Sequence, residues 1–147
     1  MSDIVIRPVA ATERAQWEPL WLGYLAFYEK SVPAVVTDFT WARVVEGREI
    51  EALIAWEGQR ALGLVQYLLH PSTWNMGGNV YLQDLFVVPE ARGKRIGRRL
   101  IAAVAEASKA KGAGVLYWQT EEFNGTARRL YERVAKRAPF VRYNIEL

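Results

Sequence analysis

Apolar residues recur along the chain with two different periods, and the changes of period divide it into predicted strands and helices. Alternation over residues 3–9 predicts a first strand, placed at or near a sheet edge because Pro8 cannot donate a ladder hydrogen bond. Thr12 is a candidate N-cap for a long helix rich in aromatic residues, and Thr37 for a short helix after it. The first third of the chain is therefore predicted as one strand followed by helices.

The middle of the chain predicts a hairpin and then a buried strand. The runs 51–56 and 61–69 are strand-like and are separated by a short polar turn that suits a hairpin. Residues 81–88 combine β-branched, aromatic and leucine side chains, and Pro89 ends this run. The three runs predict neighbouring strands in one sheet.

Helical spacing begins again at Gly97 and stops near Gly112. A strand is predicted over 115–120, an amphipathic helix from an Asn124 N-cap up to Pro139, and a final alternating strand over 140–147. Antiparallel hairpins followed by β-α-β-α-β imply a mixed sheet with helices on both faces. The predicted fold class is α/β (α+β).

Composition places the chain among ordinary globular proteins. Its 147 residues suit a single domain over 1–147, with 51% hydrophobic and 24% charged residues. There is no cysteine, which excludes disulfides and thiolate chemistry. No signal peptide and no apolar run of membrane-spanning length occurs, so we expect a cytoplasmic protein without a membrane partner.

Basic residues crowd the predicted helix start between Arg92 and Arg99. The helix dipole already places roughly half a positive charge there, so these residues repel it unless an anion binds. A solvated basic turn is the alternative. Neither the Walker loop nor the G-x-G-x-x-G dinucleotide motif fits this stretch. The net charge of +3 permits nucleic-acid binding, but the basic residues cluster at one helix end, and we expect no nucleic-acid partner.

The segment Arg92-Gly93-Lys94-Arg95-Ile96-Gly97, after a strand ending in Val-x-Pro, resembles the acyl-CoA loop of the GNAT superfamily of N-acetyltransferases. Arg95 stands where the family usually has its first motif glycine. The resemblance extends in order and spacing from Tyr81 to Leu147. It implies a GNAT-type, mostly antiparallel mixed sheet and acetyl-CoA as acetyl donor. The implied cofactor-binding residues are Phe86, Val87, Val88, Arg92, Gly93, Lys94, Arg95, Ile96, Gly97, Arg98 and Asn124.

A second family pattern, N-x-x-A-x-x-L-Y, matches Asn124, Ala127, Leu130 and Tyr131. Seven positions separate the asparagine from the tyrosine, so both point to nearly the same side of a helix. The resemblance implies that Asn124 contacts the CoA arm, that Tyr131 protonates the thiolate, and that a backbone N–H near Val87 or Val88 holds the thioester oxygen. Tyr131 could instead be a core residue.

The general base is left open by the residues. Polyamine acetyltransferases, which the chain resembles here, carry a glutamate where this chain has Gln83, and glutamine cannot accept the proton. Asp84 is the nearest carboxylate, either as base or as a structural hydrogen-bond acceptor, with Glu29, Glu121 and water as rivals. The predicted substrate-binding residues are Tyr28, Glu29, Trp74 and Gln83.

His70 is expected to be structural, and no metal site is predicted because the chain holds one histidine and no cysteine. The expected function is acetyl transfer from acetyl-CoA to a polyamine-like small amine or a basic peptide. The alternative is a noncatalytic acyl-CoA sensor on the same fold. A homodimer is expected, since many relatives dimerise through their last strands.

Overall fold

The structure is a computed structural model that describes residues 3–147. One five-stranded sheet has the order β1-β2-β3-β4-β5, in which the strands follow one another as they do in the sequence. The strands are β1 (Ile4–Pro8), β2 (Glu51–Glu57), β3 (Arg60–His70), β4 (Asn79–Val87) and β5 (Val115–Tyr117). The helices are α1 (Arg14–Phe27), α2 (Ala34–Glu46), α3 (Ile96–Ala110) and α4 (Gly125–Val134).

The first four strands pair antiparallel, and only β5 pairs parallel to its neighbour, β4. This confirms the predicted GNAT-type mixed, mostly antiparallel sheet. β1 lies at one edge, as Pro8 indicated. A β-bulge interrupts the β3–β4 ladder, because Gln66 pairs with Asp84 whereas the next residue, Tyr67, pairs with Leu82. Gln83 is therefore the extra residue of the bulge.

Helices cover both faces of the sheet, as predicted. α1 and α2 pack on one face around a core that includes Trp17, which is fully buried, and Ile54. α1 lies so close to β4 that a Cβ atom on Gly23 would come within 2.7 Å of the Phe86 ring. Glycine at this position therefore allows the end of α1 to approach the strand that carries the site.

α3 packs on the opposite face, against a second core formed by apolar residues of β3, β4 and β5. A Cβ on Gly63 would stand 3.0 Å from Leu100 and 3.1 Å from Ile96, so α3 lies directly on the backbone of β3. α4 contributes Leu130 and Val134 to the edge of the same core. The close packing fixes the N-terminus of α3 beside the end of β4.

β4 and β5 separate soon after they meet. Their pairing covers only residues 79–81 of β4 and 115–117 of β5, and β4 then runs on to Val87 with that edge unpaired by β5. An open wedge results between the two strands. Its walls are the second half of β4, the N-terminal ends of α3 and α4, and the end of α1.

The predicted caps of the first two helices are wrong. α1 is preceded by Glu13 and not by Thr12, because the Glu13 carboxylate accepts a 2.7 Å hydrogen bond from the Ala10 N–H and pairs with Arg7. α2 begins at Ala34 after Pro33, so Thr37 lies inside the helix. Its buried hydroxyl accepts a 3.1 Å hydrogen bond from the Trp21 indole instead.

The prediction for the end of the chain is also wrong. α4 ends at Val134, well before Pro139, and residues 140–147 form no strand. β5 ends at Tyr117 and is shorter than the predicted strand 115–120, and Arg142 of the tail donates a 2.6 Å hydrogen bond to Gln119 beyond its end. An alternating sequence forms a strand only where a ladder partner and a covering face exist. Within the described chain, this segment has neither.

Among residues 3–147, no helix has the length and apolar character needed to cross a bilayer.

Candidate active site

The wedge between β4 and β5 opens into a cleft of about 550 Å³. Residues from the end of α1, from β4, from the loop before α3 and from α4 line it together. From the predicted cofactor set, the cleft brings together Phe86, Val87, Arg92, Gly93, Arg95, Ile96, Gly97, Arg98 and Asn124. Tyr131 and Tyr28 line the same cleft.

Along β4, every second residue directs its backbone N–H and C=O groups toward the cleft. The Val88 N–H donates a 2.9 Å hydrogen bond to Leu62 O on β3, so Val88 faces the neighbouring strand. In an antiparallel ladder, alternate residues direct their N–H and C=O groups to opposite sides, and Val87 and Leu85 therefore face the wedge. The two positions that the sequence left open are thus distinguished: Val87 presents a cleft-facing N–H, and Val88 does not.

The loop before α3 has an uncommon backbone conformation. Arg95, at the helix N-cap, has φ 61°, in the left-handed region that favours glycine, and Gly93 has φ 88°. The usual glycine at the Arg95 position is explained by this geometry. The first turn of α3 holds no acidic residue and no side-chain cap. Its free N–H groups and the arginines therefore form a positive rim on the cleft.

The basic residues of this loop differ in their placement. Arg92 folds back, donating a 3.3 Å hydrogen bond from Nε to Val87 O, and its guanidinium lies 5.8 Å from the Phe27 ring centroid. Lys94 is exposed and lies outside the lining of the cleft. Arg92 therefore closes the end of β4, whereas Lys94 is directed to solvent.

Asn124 and Tyr131 are brought together on α4 as their spacing predicted. Asn124 is the N-cap, and its Oδ1 accepts a 3.3 Å hydrogen bond from the Ala127 N–H. Tyr131 packs edge-on against Trp118, with ring centroids 5.6 Å apart. Burial, with a smaller effect of Tyr28, raises the pKa of Tyr131 to about 12. Its hydroxyl is protonated throughout the neutral range and can donate a hydrogen bond.

Asp84 is held by a buried chain of hydrogen bonds. Gln66 Nε2 donates to Asp84 Oδ2 over 2.8 Å, and Trp17 Nε1 donates to Gln66 Oε1 over 2.8 Å. Burial raises the pKa of the Asp84 carboxyl, and the hydrogen bonds from Gln66 and Tyr24 lower it in part. The bulge at Gln83 is the reason that Asp84 faces α1, while Leu82 packs in the core beneath α3.

Phenols lie close to this carboxyl group. Tyr24 belongs to α1, Tyr28 is the C-cap residue that follows it, and Tyr81 of β4 interacts electrostatically with both tyrosines. Burial raises the pKa of both Tyr24 and Tyr28. The negative charge of Asp84 raises the pKa of Tyr24 further, whereas Glu121 and, to a smaller extent, Asp84 raise that of Tyr28. Tyr28 interacts electrostatically with Asp84 on one side and with Tyr131 on the other. Tyr28 therefore connects the carboxyl side of the site to the cleft.

Glu29 occupies the position that follows the end of α1. The N–H of Lys30 bonds to Leu25 O over 2.9 Å and the N–H of Glu29 to Ala26 O over 2.9 Å, the pattern of a Schellman motif. Glu29 has φ 55°, where glycine is usual. Among the described residues, Glu29 and Arg95 alone combine a side chain with positive φ, and of the two only Arg95 lines the cleft.

Three predicted substrate residues, Glu29, Trp74 and Gln83, lie outside the lining of the cleft, and so does the predicted base Asp84. The Gln83 side chain is exposed at the bulge, and its carbonyl is 3.5 Å from the Tyr24 hydroxyl. Trp74 is 88% exposed in the loop between β3 and β4. His70 has both ring nitrogens engaged, with Pro71 O and with the Tyr117 hydroxyl, each at 2.8 Å. This agrees with a structural histidine.

Sequence reasoning missed several residues of the site. Gln66 is a polar residue inside the otherwise apolar run of β3, and that interruption is a signal that could have identified it. Tyr24 lies one helical turn before Tyr28, which the sequence did single out. Phe27, which was also missed, completes the apolar wall of the cleft together with Leu130 of the N-x-x-A-x-x-L-Y pattern. In the described part of the chain, no group of three or more histidine, cysteine, aspartate or glutamate residues could hold a metal ion.

Comparison with known proteins identifies the class to which this fold and cleft belong. The sequence profile of the Acetyltransferase (GNAT) family matches residues 13–135. The match covers most of the chain, and the chain belongs to this family. It is an N-acetyltransferase, and its acetyl donor is acetyl-CoA, as in the rest of the family.

Individual relatives support this assignment. The chain is 31% identical over 143 residues to the D-amino-acid N-acetyltransferase of Saccharomyces cerevisiae, covering 95% of this chain and 89% of that protein. It is 38% identical over 76 residues to the thialysine N-epsilon-acetyltransferase of Bos taurus, covering 52% of this chain and 44% of that protein.

A solved structure shares the fold. The aminoglycoside N-acetyltransferase AAC(6')-Iy, in complex with CoA, superposes with a TM-score of 0.80 over 99% of this chain and 97% of its own. The two sequences are 19% identical, so this likeness concerns the fold.

Proposed function

We propose that the chain transfers the acetyl group of acetyl-CoA directly to a primary amine at this cleft, and that residues 1–147 act as one acetyltransferase domain. A single observation carries the proposal. β4 directs the Val87 N–H into the wedge and holds Asp84 three positions earlier, while Tyr131 lines the same cleft from α4. These groups supply an oxyanion donor, a proton acceptor and a hydrogen-bond donor for the leaving group.

The positive rim would hold the pyrophosphate of acetyl-CoA. Free N–H groups at the start of α3 and the guanidinium groups of Arg95 and Arg98 are aligned for an anion. The unpaired edge of β4 at Leu85 and Val87 offers backbone groups to the amides of the pantetheine arm. Asn124 would contact this arm from α4. The thioester then reaches the wedge between β4 and β5.

Acetyl transfer would proceed without a covalent intermediate on the protein. The neutral amine attacks the thioester carbonyl carbon, forming the C–N bond while the Val87 N–H stabilises the oxyanion. Asp84, directly or through a water molecule, accepts the proton that the nitrogen loses. The C–S bond then breaks, and CoA leaves as a thiolate that accepts a hydrogen bond from the Tyr131 hydroxyl and is finally protonated by the proton that the amine released.

Tyr131 is suited to donate a hydrogen bond to that thiolate. With a pKa of about 12 it stays neutral, so it does not repel the negative sulfur. A thiol has a pKa of about 8.5, so complete proton transfer from this phenol is uphill. The hydroxyl therefore acts mainly by stabilising the developing charge, and the proton released from the amine restores neutrality.

The acceptor side suits a cationic amine. Asp84 and the nearby Glu121 provide negative charge, and the rings of Tyr24, Tyr28 and Tyr81 provide faces for cation–π contacts. We propose a polyamine-like small amine or the amino group of a basic peptide as substrate. The relatives named for D-amino-acid and thialysine acetylation also point to an amine acceptor. Glu29, Gln83 and Trp74 are proposed to contact its distal part.

A noncatalytic acyl-CoA sensor is the second candidate. It is favoured by Gln83, which removes the carboxylate that polyamine acetyltransferases place next to Asp84. Such a protein would bind acetyl-CoA in the same cleft and leave it intact. Turnover is the property that separates the two candidates.

We further propose a cytoplasmic homodimer. The tail 140–147 exposes Phe140, Val141, Tyr143, Ile145 and Leu147, each more than 70% exposed in one chain. Large apolar side chains exposed together mark an interaction surface. The tail of one copy would pair with the free edge of β5 in a second copy. Sedimentation equilibrium should give a dimer for the full chain and a monomer after deletion of the tail.

Product analysis by mass spectrometry tests the activity. Purified protein and acetyl-CoA are incubated with a polyamine, D- and L-amino acids, lysine and a basic peptide, while free CoA is measured in parallel. We expect an acetylated amine in equal amount to the CoA released, and loss of both in Asp84→Asn. Tight binding of acetyl-CoA without product from any amine would support the sensor.

A further inference from the structure

Gln66 is the polar residue of β3 that touches the proposed proton acceptor, although its side chain lies away from the cleft. Its side chain is 1% exposed and has two hydrogen-bonding ends. One end meets Trp17 and the other meets Asp84, each over 2.8 Å. These two hydrogen bonds connect the buried core beneath α1 to Asp84.

The chemistry of Trp17 fixes the direction of the chain. An indole N–H can only donate a hydrogen bond, so the Gln66 atom that faces it must be the carbonyl oxygen. The amide NH₂ is thereby directed at Asp84 Oδ2 and cannot exchange places with the oxygen. Asp84 thus receives a donor on Oδ2 through a hydrogen bond whose direction is fixed.

We infer that Gln66 is a positioning residue for the acetyl transfer, orienting Asp84 and stabilising its ionised form so that it can accept the amine proton. This inference rests on the proposed function of Asp84. A donor to a carboxylate favours the charged state, whereas burial favours the neutral state. Without Gln66, the buried Asp84 would remain protonated to a higher pH and would be unable to act as a base.

The other groups near Asp84 do not provide this stabilisation to the same extent. Tyr24 of α1 and its C-cap residue Tyr28 interact electrostatically with Asp84, Tyr81 belongs to the same strand, and Glu121 interacts with Tyr28. In the described chain, the hydrogen bond from Gln66 opposes the burial of Asp84 most strongly, and that of Tyr24 is the smaller contribution.

Two substitutions test the inference in complementary ways. Gln66→Glu keeps the shape and the acceptor for Trp17 but replaces the donor with a second carboxyl group. Gln66→Leu removes the donor without adding charge. Both should raise the pKa of Asp84, moving the acidic limb of the kcat/KM profile upward by about 1 pH unit or more, with the larger shift in Gln66→Glu. The amine substrate is the same throughout, so its own titration does not move between variants.

Ser108→Ala is the matched control. Ser108 is also buried and hydrogen-bonded, to Val104 O over 2.7 Å, but it belongs to α3 and lies away from the site. It should lower the melting temperature and leave the acidic limb in place. Should Gln66→Leu fold poorly, Trp17→Phe serves instead. This substitution removes the indole N–H that orients the Gln66 amide. It should move the acidic limb of the kcat/KM profile upward by a smaller amount.

A direct titration complements the kinetics. The carboxyl carbon of Asp84, assigned through Asp84→Asn, is followed by NMR against pH with CoA bound, and its midpoint should rise in both Gln66 variants. An unmoved limb and midpoint in both variants, with the limb still abolished by Asp84→Asn, would show that Gln66 is only structural. If Asp84→Asn keeps normal activity, then the proposed role of Asp84 fails and the inference fails with it.

Discussion

The side chain at position 95 can be separated from its backbone by three substitutions. Arg95 has φ 61° in a loop where relatives of this family usually carry glycine. Arg95→Ala removes the charge and keeps a Cβ in the left-handed conformation. Arg95→Gly removes both, and Arg95→Glu reverses the charge. A comparison between the alanine and glycine variants therefore isolates the conformational effect.

The expected difference in the free energy of unfolding between Arg95→Gly and Arg95→Ala is the sum of two opposing contributions. A left-handed conformation costs a residue with a Cβ roughly 1–2 kcal/mol. Glycine avoids this cost, but it loses more backbone entropy on folding, which offsets roughly 0.5–1 kcal/mol of the gain. Arg95→Gly should therefore have a free energy of unfolding about 0.5–1 kcal/mol higher than Arg95→Ala. For a chain of this size the melting temperature should differ by about 1–4 °C.

The affinity for acetyl-CoA should not distinguish the alanine variant from the glycine variant, because it depends on the charge of the side chain. Arg95 is exposed, so losing its cation should weaken binding by roughly twofold to fivefold in both Arg95→Ala and Arg95→Gly. Arg95→Glu should weaken binding much more at low salt. Differential scanning calorimetry and isothermal titration calorimetry measure the two quantities. A glycine variant no more stable than the alanine variant would refute the reasoning from the backbone, and an unaltered affinity in Arg95→Glu would refute the reasoning from the charge.

Three further substitutions test other parts of the site. Tyr131→Phe should lower kcat by roughly 10²–10⁴-fold with an unchanged acetyl-CoA dissociation constant, and a loss of melting temperature instead would indicate a core-packing role. Glu29→Gly should raise the free energy of unfolding by about 0.5–1 kcal/mol, because the Schellman position favours glycine, and should raise the KM for the amine only. Calorimetry measures the stability of Glu29→Gly, and steady-state kinetics with both substrates measure its KM values; a change in the KM for acetyl-CoA would contradict this prediction. Gly23→Ala should lower the free energy of unfolding by about 1–3 kcal/mol, since its Cβ would overlap the Phe86 ring, and denaturant titration measures this. An unaffected midpoint would mean that α1 shifts freely over β4.

The sequence predicted the strand–loop–helix junction well because its signals are local. Pro89 marks the end of the β4 region, and the helical spacing after Gly97 is strong over four turns. Asn124 and Tyr131 are likewise related by position along one helix, so their common side followed from helical geometry alone. The edge placement of β1 followed from Pro8 in the same way.

What the sequence could not predict depends on contacts between distant segments. The bulge at Gln83 turns Asp84 toward α1, and a bulge is set by the register of two strands and not by residue type. The partnership of Trp17, Gln66 and Asp84 joins three separate elements. The tail after Pro139 has the alternation of a strand, yet alternation alone does not supply a ladder partner.

We expect the cleft to transfer the acetyl group from CoA to an amine in a single step. Protein carrying bound radiolabelled acetyl-CoA is mixed with excess unlabelled acetyl-CoA and the amine, and the first turnover is quenched and separated. The label should appear in the acetylated amine in the first turnover, and none should remain on the protein. Label retained as intact acetyl-CoA would contradict an enzymatic role, and label attached to the protein would contradict direct transfer.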